Sequence, residues 1–235
     1  EAIRDTAWRL DQTAYANFVY GEFNKVQKLS SDIVRYNPYQ KLIHFKEKLW
    51  LMGGFNGNLQ SDIWSSSNGK NWNISTGNMP FTPRVKQQVV EFKGKLWTIA
   101  GADEDGYKND IWSSTDGENW TQVSDAAQFS PRVDHQVVSF KGLLWLFGGN
   151  DNDVKQDVWA STTGKDWINV SDDNEVLNRS NYQVVSFSNK LWLIGGEHNG
   201  ELKNDIWSSI DGKVWIEESA RAEFSPRQNH QVKTI

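Results

Sequence analysis

The stretch "SSTDGENW", Ser113 to Trp120, decides the fold because the chain writes it four times. "SSSNGKNW" ends at Trp72, "ASTTGKDW" at Trp167 and "SSIDGKVW" at Trp215, so the closing tryptophans are 48, 47 and 48 residues apart. A fixed period of this size marks a repeat architecture. Working outward, twelve of the thirteen tryptophans fall into three columns with the same step. One column follows a leucine (Trp50, Trp97, Trp145, Trp192), one ends "DIW" or "DVW" (Trp64, Trp112, Trp159, Trp207), and the third closes the turn.

Each unit reads as four short strands. In the third copy these are "DHQVVSF", "LLWLFGG", "QDVWAS" and, after "TTGK", "DWINV". The second is apolar on successive residues, as expected of a strand buried on both faces. Short glycine-containing turns separate strands one and two, and three and four, which are hairpin signals. The glycine of the outer turn supplies positive φ, and the tryptophan after it is expected to lock that hairpin against the next sheet. One antiparallel sheet of this size cannot bury both faces. Radial stacking can, which predicts an all-β chain, a β-propeller of four-stranded antiparallel blades.

Composition narrows the function classes. The 235 residues are 37% hydrophobic and 23% charged, as in globular proteins, with a net charge of −5. That balance argues against a nucleic-acid partner, which calls for a concentrated basic face. No apolar run approaches the roughly 18 residues of a membrane span, so no membrane insertion is expected. The absence of cysteine excludes disulfides, thiolate metal sites and thiol catalysis. A cysteine-free chain with this composition is expected in an extracellular or periplasmic setting rather than the cytoplasm, as a monomer.

The run "SPRVDHQVVSFKGLLWLFGGNDNDVKQDVW" (Ser130–Trp159) resembles a kelch repeat: Pro-Arg, then His, an apolar strand, Gly-Gly and a later Trp. The glycine pairs are Gly53-Gly54, Gly148-Gly149 and Gly195-Gly196, with Ala100-Gly101 in the second copy. The resemblance spans residues 37 to 235 and implies a kelch-type propeller, a family that mostly binds proteins or sugars and includes a minority of enzymes. Its copper oxidase branch needs a Tyr–Cys crosslink, which this chain cannot form. A more distant likeness is to the Asp-box hairpin of sialidases: Ser113, Gly117 and Trp120 match its spacing, with Thr115 in place of the Asp.

The repeats divide the chain into 37–83, 84–131, 132–178 and 179–226, with a stub at 227–235 that copies one first strand. Segment 1–36 lacks the Gly-Gly and two tryptophan columns. It is expected either to supply the other strands of a closing fifth blade or to form a helix. The within-blade link "GGNDNDVKQD" and the blade-to-blade link "SDAAQFSPR" are both long and are expected to emerge as irregular loops on one face. Binding residues concentrate on such loops.

The same face carries Arg84, Arg132, Arg179 and Arg227 at one repeat position. Three residues later come His135, Tyr182 and His230, with Gln87 in the remaining copy. These seven are the candidate ligand-binding residues. The arginines are expected near the axis, either clamping a carboxylate-bearing ligand or pairing with Asp110, Asp157 and Asp205 as a structural device. A position that accepts His, Tyr and Gln does not read as a metal ligand. The acidic turns Asp103–Gly106 and Asn150–Asp153 lack the spacing of a calcium loop. No catalytic or cofactor motif is present. The expected function is therefore a non-enzymatic module that binds a protein or glycan through the long-loop face. The alternatives are an enzyme acting on an acidic sugar, for which Tyr182 and Glu175 are the only candidate catalytic groups, and an architectural spacer in a surface protein.

Overall fold

A computed structural model describes residues 39–76, 79–171 and 173–232. The expectations placed on segment 1–36 and on residues 233–235 lie outside the described residues. Among the described residues, sixteen strands form four antiparallel sheets, each in simple sequential order. Blade one holds β1 (Lys41–Phe45), β2 (Lys48–Met52), β3 (Ile63–Ser66) and β4 (Asn73–Thr76). Blade two holds β5 (Gln88–Phe92), β6 (Lys95–Asp103), β7 (Gly106–Ser114) and β8 (Trp120–Ser124). Blade three holds β9 (Gln136–Phe140), β10 (Leu143–Asn150), β11 (Val154–Ser161) and β12 (Ile168–Ser171). Blade four holds β13 (Gln183–Phe187), β14 (Lys190–His198), β15 (Glu201–Ser209) and β16 (Ile216–Ser219). The first strands adjoin in order, β1 beside β5, β5 beside β9 and β9 beside β13. The chain is a β-propeller.

The three tryptophan columns divide the work of stacking. Trp50, Trp97 and Trp145 donate their indole N–H to the carbonyls of Phe45, Phe92 and Phe140 on the neighbouring strand of their own blade. Their rings then lie under the outer turn of the following blade. A Cβ built on Gly117 would sit 2.6 Å from the Trp50 ring, and Gly164 and Gly212 stand likewise over Trp97 and Trp145. Trp120 and Trp167 donate to the carbonyls of Gly117 and Gly164 within their own turns and meet Phe81 and Phe129 edge-on, a favoured aromatic geometry. The turn is capped by Ser114, whose hydroxyl accepts from the amides of Asp116 and Gly117. The Asp-box spacing points to Ser113; the cap falls one residue later, on Ser114.

In blades two to four the within-blade long link is not an irregular loop. β6 and β7 run on to Asp103 and Gly106, β10 and β11 to Asn150 and Val154, and β14 and β15 to His198 and Glu201, so each of these links is an extended hairpin, here called an arm; the blade-one link, 53–62, holds the isolated bridge Phe55–Leu59 and no strand. The register shifts at the glycine pair, between Phe147 and Gly149 in blade three. Gly148 and Gly149 adopt φ of +52 and +111 at this bulge. Beyond it the arm pairs with the chain entering the innermost strand, through the bridges Val85–Ala102, Val133–Asn150 and Ser180–Glu197.

Candidate functional site

The arms and the blade-to-blade links surround the mouth of a channel lined by the innermost strands. Tyr39, Lys86, Asp134, Asn181 and Asn229 occupy one repeat position at that mouth, and all five are left-handed, with φ between 56 and 69. The kink turns the chain from arm pairing into the inner strand. Two of the five are Asn and one is Asp, the types that tolerate this region best. The mouth residues bind one another: Lys86 meets Asp134 at 2.9 Å and lies over the Tyr39 ring, and Asn181 donates to Gln228 at 3.1 Å. Two residues deeper, Lys41, Gln88, Gln136, Gln183 and Gln231 line a cavity of about 240 Å³. Gln88 donates across the blade boundary to the His135 carbonyl at 2.8 Å.

Arg84, Arg132 and Arg179 pair with the expected aspartates as a structural device, but away from the axis. Arg84, Arg132, Arg179 and Arg227 are absent from the lining of this channel; three of them are buried at the roots of the arms. Arg132 donates through Nη1 and Nη2 to the two carboxylate oxygens of Asp157 at 2.6 and 2.8 Å. Its remaining donors go to the Ser130 carbonyl and hydroxyl and to the Gly148 carbonyl. All five guanidinium N–H groups are thus used within the chain. Arg84 repeats the pattern with Asp110, Thr82 and Ala100. Arg179 bonds Asp205 and the Gly195 carbonyl through Nη1 alone. Arg227 keeps contacts to Ser225 and lies over Phe224. Each paired aspartate also accepts the indole N–H of the tryptophan two residues later, as at Trp112, Trp159 and Trp207. Burial raises the Asp205 carboxyl, but hydrogen bonds from Arg179 and Trp207 win and hold it below the usual range.

The column three residues after the arginines packs between blades. Tyr182 is fully buried and donates to the Phe147 carbonyl of the preceding blade at 3.0 Å. Burial, and then the Asp157 charge, push its phenol well above the normal range, so it stays neutral. His135 is also fully buried. Burial, reinforced by the Arg132 and Lys41 charges, pulls its pKa down to about 3, and the nearby Ile99 carbonyl only partly opposes this. Neither ring nitrogen makes a hydrogen bond of ordinary geometry. His230 lines the channel and is lowered in the same direction, by burial and then Arg227. The structure therefore separates the seven predicted residues: His230 and Tyr182 reach the channel wall, the arginines brace the arms, and His135 is enclosed. Among the described residues no group of three or more His, Asp or Glu side chains is placed to hold a metal ion.

One set of exposed residues escaped sequence reasoning. Tyr107, Val154 and Leu202 occupy the same arm position and are 39%, 38% and 46% exposed, with Phe55 exposed on the blade-one link. Their common step of 47 or 48 residues was visible, but only the arm hairpins show that this position faces outward.

Residues 35–137 match the family described as the DUF6242 beta propeller domain. The match runs from the start of blade one into β9, and its description names an architecture and no activity. No curated protein matches the chain. The kelch assignment stays a resemblance.

Proposed function

We propose that the propeller is a non-enzymatic binding module whose arm face takes a protein or glycan ligand. The observation that carries this reading is the apolar position repeated on three arms, Tyr107, Val154 and Leu202, exposed on the face where the long links emerge; Ile74, Ile168, Ile210, Val214 and Ile216 are exposed too, but on the outermost strands and their turns. Apolar side chains set at regular intervals and flanked by the ion pairs Lys108–Asp103, Lys155–Asp151 and Lys203–Glu201 supply both contact area and a polar rim. The acidic-sugar hydrolase reading loses its nucleophile, because the Tyr182 hydroxyl is buried and committed to Phe147. The test is a glycan array and a peptide array probed with the wild type and with a Tyr107→Ser/Val154→Ser/Leu202→Ser variant. Retention by the wild type of a ligand that the folded variant loses supports the arm face. A variant that keeps every ligand sinks it.

A further inference from the structure

Blade four breaks the rule its siblings follow. In blades two and three, and again at Arg227, the Nε–Nη2 edge of the arginine is held by the residue two positions earlier, Thr82, Ser130 or Ser225, through its carbonyl and hydroxyl. The aromatic ring over which each guanidinium lies, Phe81, Phe129 or Phe224, comes one position before that. In blade four these positions are Val176 and Leu177, and the link forms a short 3-10 turn at Glu175–Leu177. Leucine has no hydroxyl to offer. Arg179 consequently bonds only through Nη1; its Nε–H is buried without a partner, and Nη2 donates to nothing among the described residues. An orphaned buried donor costs about 1–3 kcal/mol relative to a satisfied one.

Arg179 is more than nine-tenths buried and lines a cleft of about 470 Å³. The walls include Glu175, His198, Lys203, Glu217 and Arg221. Lys203 is paired with Glu201 at 2.8 Å. His198 contacts the Asn178 carbonyl through Nδ1 and the Asn199 amide through Nε2. Of the unpartnered edge of Arg179, Nε is enclosed, and Nη2 with its two N–H groups is the donor left for a ligand carboxylate. Glu175 and Glu217 are exposed carboxylates able to accept from the hydroxyls of a ligand, and Arg221 adds a second positive charge.

We infer that the blade-four cleft binds a sugar acid, with the carboxylate on Nη2 of Arg179 and the hydroxyls on Glu175 and Glu217. The inference deepens the binding-module reading and rests on it, with the cleft as one subsite of the arm face.

The experiment is a titration of the intact chain with D-glucuronate, followed by ¹⁵N–¹H spectra of the arginine Nε groups, with glucose and inorganic phosphate as controls. The Arg179 signal moves with glucuronate while those of Arg84 and Arg132 stay still, and glucose moves none of them. A Leu177→Thr variant, which places at this position the residue type of Thr82, weakens the response at least tenfold. An unmoved Arg179 signal, an equal response to phosphate, or an undiminished response in a folded Leu177→Thr variant overturns the assignment. Should Leu177→Thr fail to fold, the wild-type titration decides alone. If Arg179 stays silent while the arm variants still lose their ligand, only the cleft assignment falls. If Arg179 responds and the arm variants lose nothing, the arm-face reading falls and the cleft stands.

Discussion

Arg132 and Asp157, 25 residues apart in sequence, join the entry of an innermost strand to the third strand of the same blade through hydrogen bonds of 2.6 and 2.8 Å. The second carboxylate oxygen also receives the Trp159 indole at 2.7 Å. Removing one partner strands a charge in a site where Arg132 is 1% exposed. Asp157→Ala is expected to cost about 3–5 kcal/mol, and an Arg132→Leu/Asp157→Leu pair to cost less than Asp157→Ala alone. Urea unfolding of the single and double variants measures both. A double variant as damaged as the sum of its singles contradicts the pairing.

Acid sensitivity follows from His135. Its folded-state pKa is pulled down to about 3, whereas an unfolded histidine titrates near 6.5. Between those values the unfolded chain binds a proton that the folded chain refuses. Stability is therefore complete above about pH 6.5 and declines as pH falls toward 3, by up to about 1.4 kcal/mol per pH unit. His230 adds a smaller effect of the same sign. His135→Gln, which copies Gln87, is expected to flatten the slope between pH 6.5 and 4.5 in urea midpoints. The lowered carboxyls of Asp103 and Asp205 act in a lower window, being lost only below their usual range.

The outer turn separates strain from packing. Gly117 has φ +86 and stands over the Trp50 ring, while Gly142 has φ +75 with nothing within 4 Å of a built Cβ. Gly142→Ala is expected to lose only the backbone preference, about 1 kcal/mol. Gly117→Ala adds a clash with the indole and is expected to lose clearly more. Comparing the two melting temperatures isolates the contact between blades.

The exposed arm residues are expected to be neutral for folding. Tyr107→Ser, Val154→Ser and Leu202→Ser, taken singly, should each change stability by no more than about 0.5 kcal/mol, as surface substitutions do. Thermal unfolding checks this, and it makes any loss of ligand in those variants a statement about binding.

Much of the blade was legible because its information is local. The hairpin between β11 and β12 is written in Thr163-Gly164 and Trp167, and the pairing of β9 with β10 in two apolar runs three residues apart. The arms were misread because "GGNDNDVKQD" has the composition of a loop. Its pairing depends on the bulge at Gly148 and Gly149, which realigns two polar strands that carry no alternating pattern. The arginine column was visible, but its direction was not.

Four tryptophan-closed hairpins at a constant step, each preceded by an apolar run, suffice to specify a β-propeller, since strand pairing and burial pattern repeat within every 47 or 48 residues. Where the arginines point is a different matter. Their aspartates lie 25 or 26 residues away across two strands and a bulge, so only the folded blade brings the charges together and turns them from the channel. The same holds for Arg179: its sequence position matches Arg84 and Arg132, and what sets it apart is a leucine at the place where a hydroxyl would have closed its free edge. A repeat period carries the scaffold, while the function of one member of a column depends on which neighbours the tertiary fold sets within hydrogen-bond reach.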